Sequence, residues 1–203
     1  MKRVLLAIAL IAGVVIPAIR FANGEEEKPF APNVDVGTGA IRVPENYREW
    51  PTLGTWAHAN TGDNLRQMGP GLHEYHVVYT QPDTIAYYKK TGRFPDGAVL
   101  VKELLKATTM SMTTGPAVGH ATTITGWFVL VRDTRGRYKD SGVWGDGWAW
   151  SFFNASDPVH TESKNYKTEC IPCHQPARDL ARPNAPDADK WIYALGYPVL
   201  QGK

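Results

Sequence analysis

Two cysteines and a histidine are spaced to do chemistry: Cys170-Ile171-Pro172-Cys173-His174. Two thiols three residues apart can reach the two vinyl groups of one haem, and the adjacent imidazole then points at the iron from one face. This is the spacing of c-type haem attachment. Two other uses compete. A redox C-x-x-C sits between a strand and a helix near the start of a thioredoxin-like unit, whereas this one comes late, after Tyr166-Lys167-Thr168-Glu169. A zinc site needs further ligands, commonly a second paired motif, and only a distant His could supply one. The haem reading is preferred. One such motif implies one covalent haem c with its iron, bound through Cys170 and Cys173 and ligated by His174.

The opposite face of the iron is the next question. Carriers with His/Met ligation hold iron on both faces. Met68, Met110 and Met112 all precede the motif, and none follows it. These three read as adaptable fillers of core or loop gaps. The expectation is an open distal face, suited to ligand binding or catalysis. Lys102 is the third feature. Strand alternation in Val99-Leu100-Val101-Lys102-Glu103-Leu104-Leu105 sets it beside Leu100 and Leu104, a lysine on an apolar face. It is either a snorkelling or Glu-paired lysine, or a desolvated amine that is partly neutral and nucleophilic.

The surrounding elements must position these groups. Pro44 to Trp50 reads as a short helical turn, and Leu53 to Trp56 as a strand start followed by a loop. Leu72 to Thr80 alternates and is rich in β-branched and aromatic residues, a strand. Asp83 can cap a short helix through Tyr88, Lys89 and Lys90, both lysines solvated, with Gly92 past its end. Phe94-Pro95-Asp96-Gly97 is a turn. Ala98 to Lys106 is an apolar strand, Thr108 to Ala121 a polar loop, and Thr122 to Arg132 the longest strand candidate. After a turn at Arg135-Gly136, Trp144 to Phe153 returns as an aromatic strand. On it Trp148, Trp150 and Phe152 share one face, as core or haem-packing aromatics. A helical turn leads from Ser156 toward Cys170, and a short helix falls around Trp191 to Leu195. The fold class expected is α+β, mainly antiparallel β sheet with peripheral short helices, in one domain over 25–203.

Composition sets the outer limits. The 203 residues are 43% hydrophobic and 21% charged, an ordinary globular balance. A net charge of +2 leaves no footprint for nucleic acid. Residues 1–24 read as a cleaved signal peptide. Lys2 and Arg3 lead an apolar run from Val4 to Ile16, Pro17 breaks it, and small residues precede Gly24. The run is shorter than the ~20 residues of a spanning helix. Haem attachment requires export to the periplasm, and the signal agrees; despite that export the chain is no disulfide scaffold, since both cysteines lie in the one motif. Glu25 to Val36 reads as an extended N-terminal arm.

Further stretches carry a resemblance. These are Pro44-Glu45-Asn46-Tyr47-Arg48-Glu49-Trp50, His76-Val77-Val78-Tyr79, the run from Tyr88-Lys89-Lys90 to Pro95-Asp96-Gly97, Val101-Lys102-Glu103-Leu104, and the ending Tyr197-Pro198-Val199-Leu200. With the late haem motif they resemble the cytochrome P-460 family over nearly all of the mature chain. The resemblance implies a homodimeric, mainly antiparallel β domain. It implies a five-coordinate haem with His174 proximal, and Lys102 cross-linked through its side-chain nitrogen to a haem meso carbon. It further implies oxidation of hydroxylamine to nitrous oxide or nitrite, with electrons passing to a redox partner cytochrome. One departure stands out. Active relatives resemble one another in placing a carboxylate two residues after a Gly, and that position here is Phe128, after Gly126-Trp127. His76, where relatives often carry Arg, is a possible distal base. A Phe at the distal wall resembles instead the cytochrome c′-beta relatives that bind nitric oxide. The alternative function is therefore a non-catalytic gas-binding haem protein.

Overall fold

A computed structural model describes residues 30–201. The signal-peptide reading of 1–24 and the start of the arm at 25–29 lie outside the described residues. Six strands form one antiparallel sheet: β1 (Thr52–Ala59), β2 (Leu72–Thr80), β3 (Val99–Met112), β4 (Gly115–Arg132), β5 (Trp144–Gly145) and β6 (Trp148–Asn154). Their order is β1-β2-β3-β4-β6-β5. Short helices lie between and after them: α1 (Gly62–Met68), α2 (Pro82–Thr91), α3 (Tyr166–Glu169) and α4 (Ile171–Asp179). Single 3₁₀ turns occur at Tyr47–Glu49 and three times in the C-terminal tail, at Asp189–Trp191, Ala194–Gly196 and Pro198–Leu200. The expected fold class is the observed one.

Both faces of the sheet are covered, which explains the dense apolar runs in β3 and β4. One face carries Val99, Val101, Trp127, Val129, Val131 and Phe153 against Ala31, Val34, Ile41, Val43 and Tyr47 of the N-terminal segment. Glu103 is buried on that face and accepts a 2.8 Å hydrogen bond from Arg48 Nη2. Trp127 Nε1 donates to the Tyr47 hydroxyl at 2.8 Å. The other face carries Val78, Leu100, Trp148 and Trp150 against Tyr88 of α2, Tyr166 of α3, Cys170, and the tail residues Ile192, Tyr197 and Leu200. The haem-type motif is thus packed on this second face.

Several local expectations change. The polar stretch Thr108 to Ala121 is no loop. It extends β3 and β4 into a long hairpin, with Thr108 paired to His120 and Met110 to Val118. Its backbone bonds form across the pair, but its Thr, Ser, Gly and Pro residues lack the apolar alternation that marks a strand. Met110 and Met112 are 48% and 42% exposed on this arm, so neither fills a core gap. The strand from Trp144 to Phe153 is two strands around Asp146-Gly147. Both residues have positive φ, 52° and 82°, and Trp144 pairs with Ala149 across them. An Asp-Gly pair is the usual two-residue hairpin turn, a signal present in the sequence. The loop expected after Trp56 is the continuation of β1 and the short helix α1. The expected helix around Trp191 is replaced by the tail's 3₁₀ turns. Helix α2 ends as expected on Gly92, in the left-handed conformation.

Candidate functional site

The site lies where the second sheet face meets the motif. Paired residues in an antiparallel sheet share a face, so the register places side chains directly. Across the sheet, Gly54 pairs with Val78, Val78 with Lys102, Lys102 with Phe128, and Phe128 with Phe152. In the adjacent row Trp56 pairs with His76, His76 with Leu104, and Leu104 with Gly126. Lys102, His76 and Phe128 therefore stand together on one face, with apolar Val78, Leu104 and Phe152 among them.

Lys102 Nζ sits 5.5 Å from the centre of the Phe128 ring. Among the described residues it forms no ion pair within 4.0 Å. Burial lowers its pKa from the usual amine value, and the nearby acidic groups of Glu74 and Cys173 only partly oppose this. The desolvated reading of Lys102 fits, and the Glu-paired one does not: its neighbour Glu103 points through the sheet to Arg48. Phe128 is 38% exposed and packs on Phe152 with ring centres 5.0 Å apart. It is an open aromatic wall and not a core residue.

His76 is buried, and its pKa is pushed down to about 4. Burial is the largest cause, followed by the Lys102 charge; Glu74 pulls the other way, and His58 adds to the lowering. The 3.3 Å approach of His76 Nε2 to Glu74 Oε1 is therefore a neutral imidazole beside a carboxylate at pH 7. With the proton assigned to Nε2, toward Glu74, the buried Nδ1 is a lone pair with no partner among the described residues.

The motif side is built by the tail. Helix α3 starts at Asn165, whose side chain accepts from the Lys167 amide. The chain turns at Cys170 into α4, with the His174 amide bonding back to the Cys170 carbonyl at 3.2 Å. Cys170 and Cys173 are thus neighbours one helical turn apart on one side. Both are free thiols, Cys170 buried and Cys173 exposed. Burial, reinforced by Glu169 and Cys173, raises Cys170 to about 11. His174 Nδ1 lies 2.7 Å from the Trp191 carbonyl, which assigns the proton to Nδ1 and leaves Nε2 as the donor to a metal. Burial is the main cause that keeps this imidazole below its ordinary pKa; the Trp191 carbonyl opposes it and the Lys102 charge adds to it. Trp150 meets the His174 ring edge-on at 4.9 Å. Tyr193 donates to the Cys173 carbonyl at 2.6 Å. Of the aromatics expected near the motif, Trp148 and Trp150 are fully buried and Phe152 partly so.

The donor set fits a haem. Two unpaired thiols on one helical face, an imidazole with one nitrogen fixed by a carbonyl, and a partly exposed aromatic wall beside a desolvated lysine suit a flat apolar ring with a metal centre. A comparison with known families matches residues 44–188 to Cytochrome P460. The chain belongs to the cytochrome P460 family. A haem with iron comes with that family. No curated protein matches the chain. The match covers β1 through the motif, including Lys102, Phe128 and His174, and stops before the Trp191 carbonyl. For this P460 family member, sequence reasoning missed the tail carbonyl on His174, because a backbone acceptor has no residue signature. It also missed Glu74, although alternation along β2 already put Glu74 on the face of His76.

Proposed function

We propose that this cytochrome P460 family member is a periplasmic, homodimeric mono-haem c protein that oxidises hydroxylamine to nitrous oxide or nitrite, passing electrons to a redox partner cytochrome. The observation that carries the reading is Lys102, desolvated and without an ion-pair partner among the described residues, on the face that meets the motif. In this reading Cys170 and Cys173 hold the haem by thioether bonds, His174 Nε2 ligates its iron, and Lys102 joins its ring. The haem supplies a Lewis-acidic metal for a nitrogen ligand and a sink for electrons. The chain does the rest. The Trp191 carbonyl fixes the orientation of His174. Phe128, Phe152 and Leu104 exclude water. His76, neutral at working pH, is the proton acceptor on this face, and Glu74 stabilises the imidazolium that results.

A specific observation favours a second reading. Phe128, not a carboxylate, stands directly across from Lys102 and packs at a tilt against Phe152. Such an apolar wall suits capture of nitric oxide without turnover.

The test is the absorption spectrum of the matured, dithionite-reduced protein beside a Lys102→Ala variant. A strongly red-shifted Soret band that the variant lacks supports the cross-link and the oxidising reading. An ordinary five-coordinate haem c spectrum, the same in both, makes Lys102 a structural lysine and supports the gas-binding reading.

A further inference from the structure

A second group of donors lies at the edge of the sheet and shares only Glu74 with the chemistry above. His58 lies near the end of the edge strand β1, and His73 and Glu74 near the start of β2. The two strand ends are tied by the Asn60 amide, which donates to the Gly71 carbonyl at 2.9 Å. Regular pleating would send His73 and Glu74 to opposite faces. The β1–β2 register shifts between His58 and Ala59, and such an irregularity re-aims side chains. One ligand atom from each of His58, His73 and Glu74 lies within 4.8 Å of the others. Tetrahedral zinc holds its nitrogen and oxygen ligands about 3.3 Å apart. The exposed His58 can close that difference by side-chain rotation. His73 Nδ1 is buried with no hydrogen-bond partner among the described residues, an arrangement that is destabilising unless something pairs with it.

We infer that His58, His73 and Glu74 form a second metal site, taking one late first-row divalent ion of the zinc or copper type. Two imidazoles and one carboxylate select such an ion over calcium or magnesium, which prefer all-oxygen shells. Three protein ligands leave a coordination position open to solvent at the sheet edge. His76 lies next to the site, its ring centre 4.4 Å from that of His58. The inference concerns equilibrium binding of a free ion, and Glu74 is the one residue it shares with the proton transfer proposed above.

The test is calorimetric titration of metal-stripped, haem-loaded protein with zinc, and electron paramagnetic resonance with cupric ion. One equivalent should bind. His58→Ala and His73→Ala should each weaken zinc binding at least tenfold, leaving the haem spectrum unchanged. His160→Ala, at an exposed histidine contacting Asp157, should not weaken it. The cupric spectrum should show coupling to two imidazole nitrogens, and to one in His73→Ala. If His73→Ala lowers haem content, Glu74→Gln replaces it in the titration. The inference is overturned if zinc does not saturate at one equivalent, if the His58 and His73 variants bind as the parent does, or if His160→Ala weakens binding equally.

Discussion

At the scale of single residues, the site sets a polar pair, Lys102 and His76, in apolar surroundings; burial perturbs both, and the Lys102 charge further lowers His76. Phe128 is the residue that separates the two readings of function. It pairs with Lys102 across the β3–β4 ladder, so a carboxylate there would face the same pocket. Phe128→Glu should raise hydroxylamine oxidation by roughly tenfold or more if a proton acceptor is limiting, as general-base contributions of this kind are typically larger still. Steady-state turnover with an artificial electron acceptor reads this, and unchanged turnover counts against a missing carboxylate. His76 makes a second prediction. Its folded pKa of about 4 lies below its ordinary 6.5, so the unfolded chain takes up a proton that the native state refuses. Its contribution is level above about pH 6.5, and native stability is lost as pH falls from there to about 4. Thermal midpoints across that range should show the fall, and His76→Gln should flatten it. An identical slope in the variant would place the effect elsewhere.

At the scale of elements, the site depends on how β3 is launched. The turn before it brings Gly97 to a φ of 76°, with its amide bonded to the Arg132 carbonyl at 2.9 Å. A β-carbon at Gly97 would lie 1.8 Å from the Phe30 carbonyl oxygen, and backbone cannot yield as a flexible side chain can. Gly97→Ala should lower stability by about 2–4 kcal/mol, read as a lower urea midpoint with an unchanged slope. A midpoint equal to the parent's would mean that the N-terminal segment is free to move away. The same turn is held by Asp96, which accepts from the Thr134 amide at 2.8 Å and pairs with Arg137. Strands Leu72–Thr80 and the first part of β3 were legible because alternation and β-branched residues mark a strand with packed faces. The outer β3–β4 hairpin was not, because Thr, Gly and Pro without apolar alternation look like a loop until the pairing partner is known.

At the scale of the molecule, the sheet is a partition between two cores, and the C-terminal tail decides the second. Tyr197 and Leu200 are buried against Leu53, Val78 and the motif side, and the tail also supplies the Trp191 carbonyl to His174. Ending the chain at Gly196 removes both buried side chains. It should destabilise the haem-loaded protein by about 4 kcal/mol or more. Urea unfolding followed by tryptophan fluorescence checks this, and a truncated protein of parental stability would make the tail a passive cover.

The sequence by itself determined the chemistry that depends on short spacing. The Cys170–His174 motif is one local unit, and the period of two along β3 sets Lys102 on an apolar face whatever lies opposite. Family membership followed from the same stretches, Lys102 and the motif among them. What only the tertiary structure decided is what meets what. Cross-strand register set Phe128 opposite Lys102, a register break brought His58 to His73 and Glu74, and the returning tail put a carbonyl on His174. The first two join strands through backbone hydrogen bonds, and the third uses a backbone acceptor; backbone groups carry no side-chain identity.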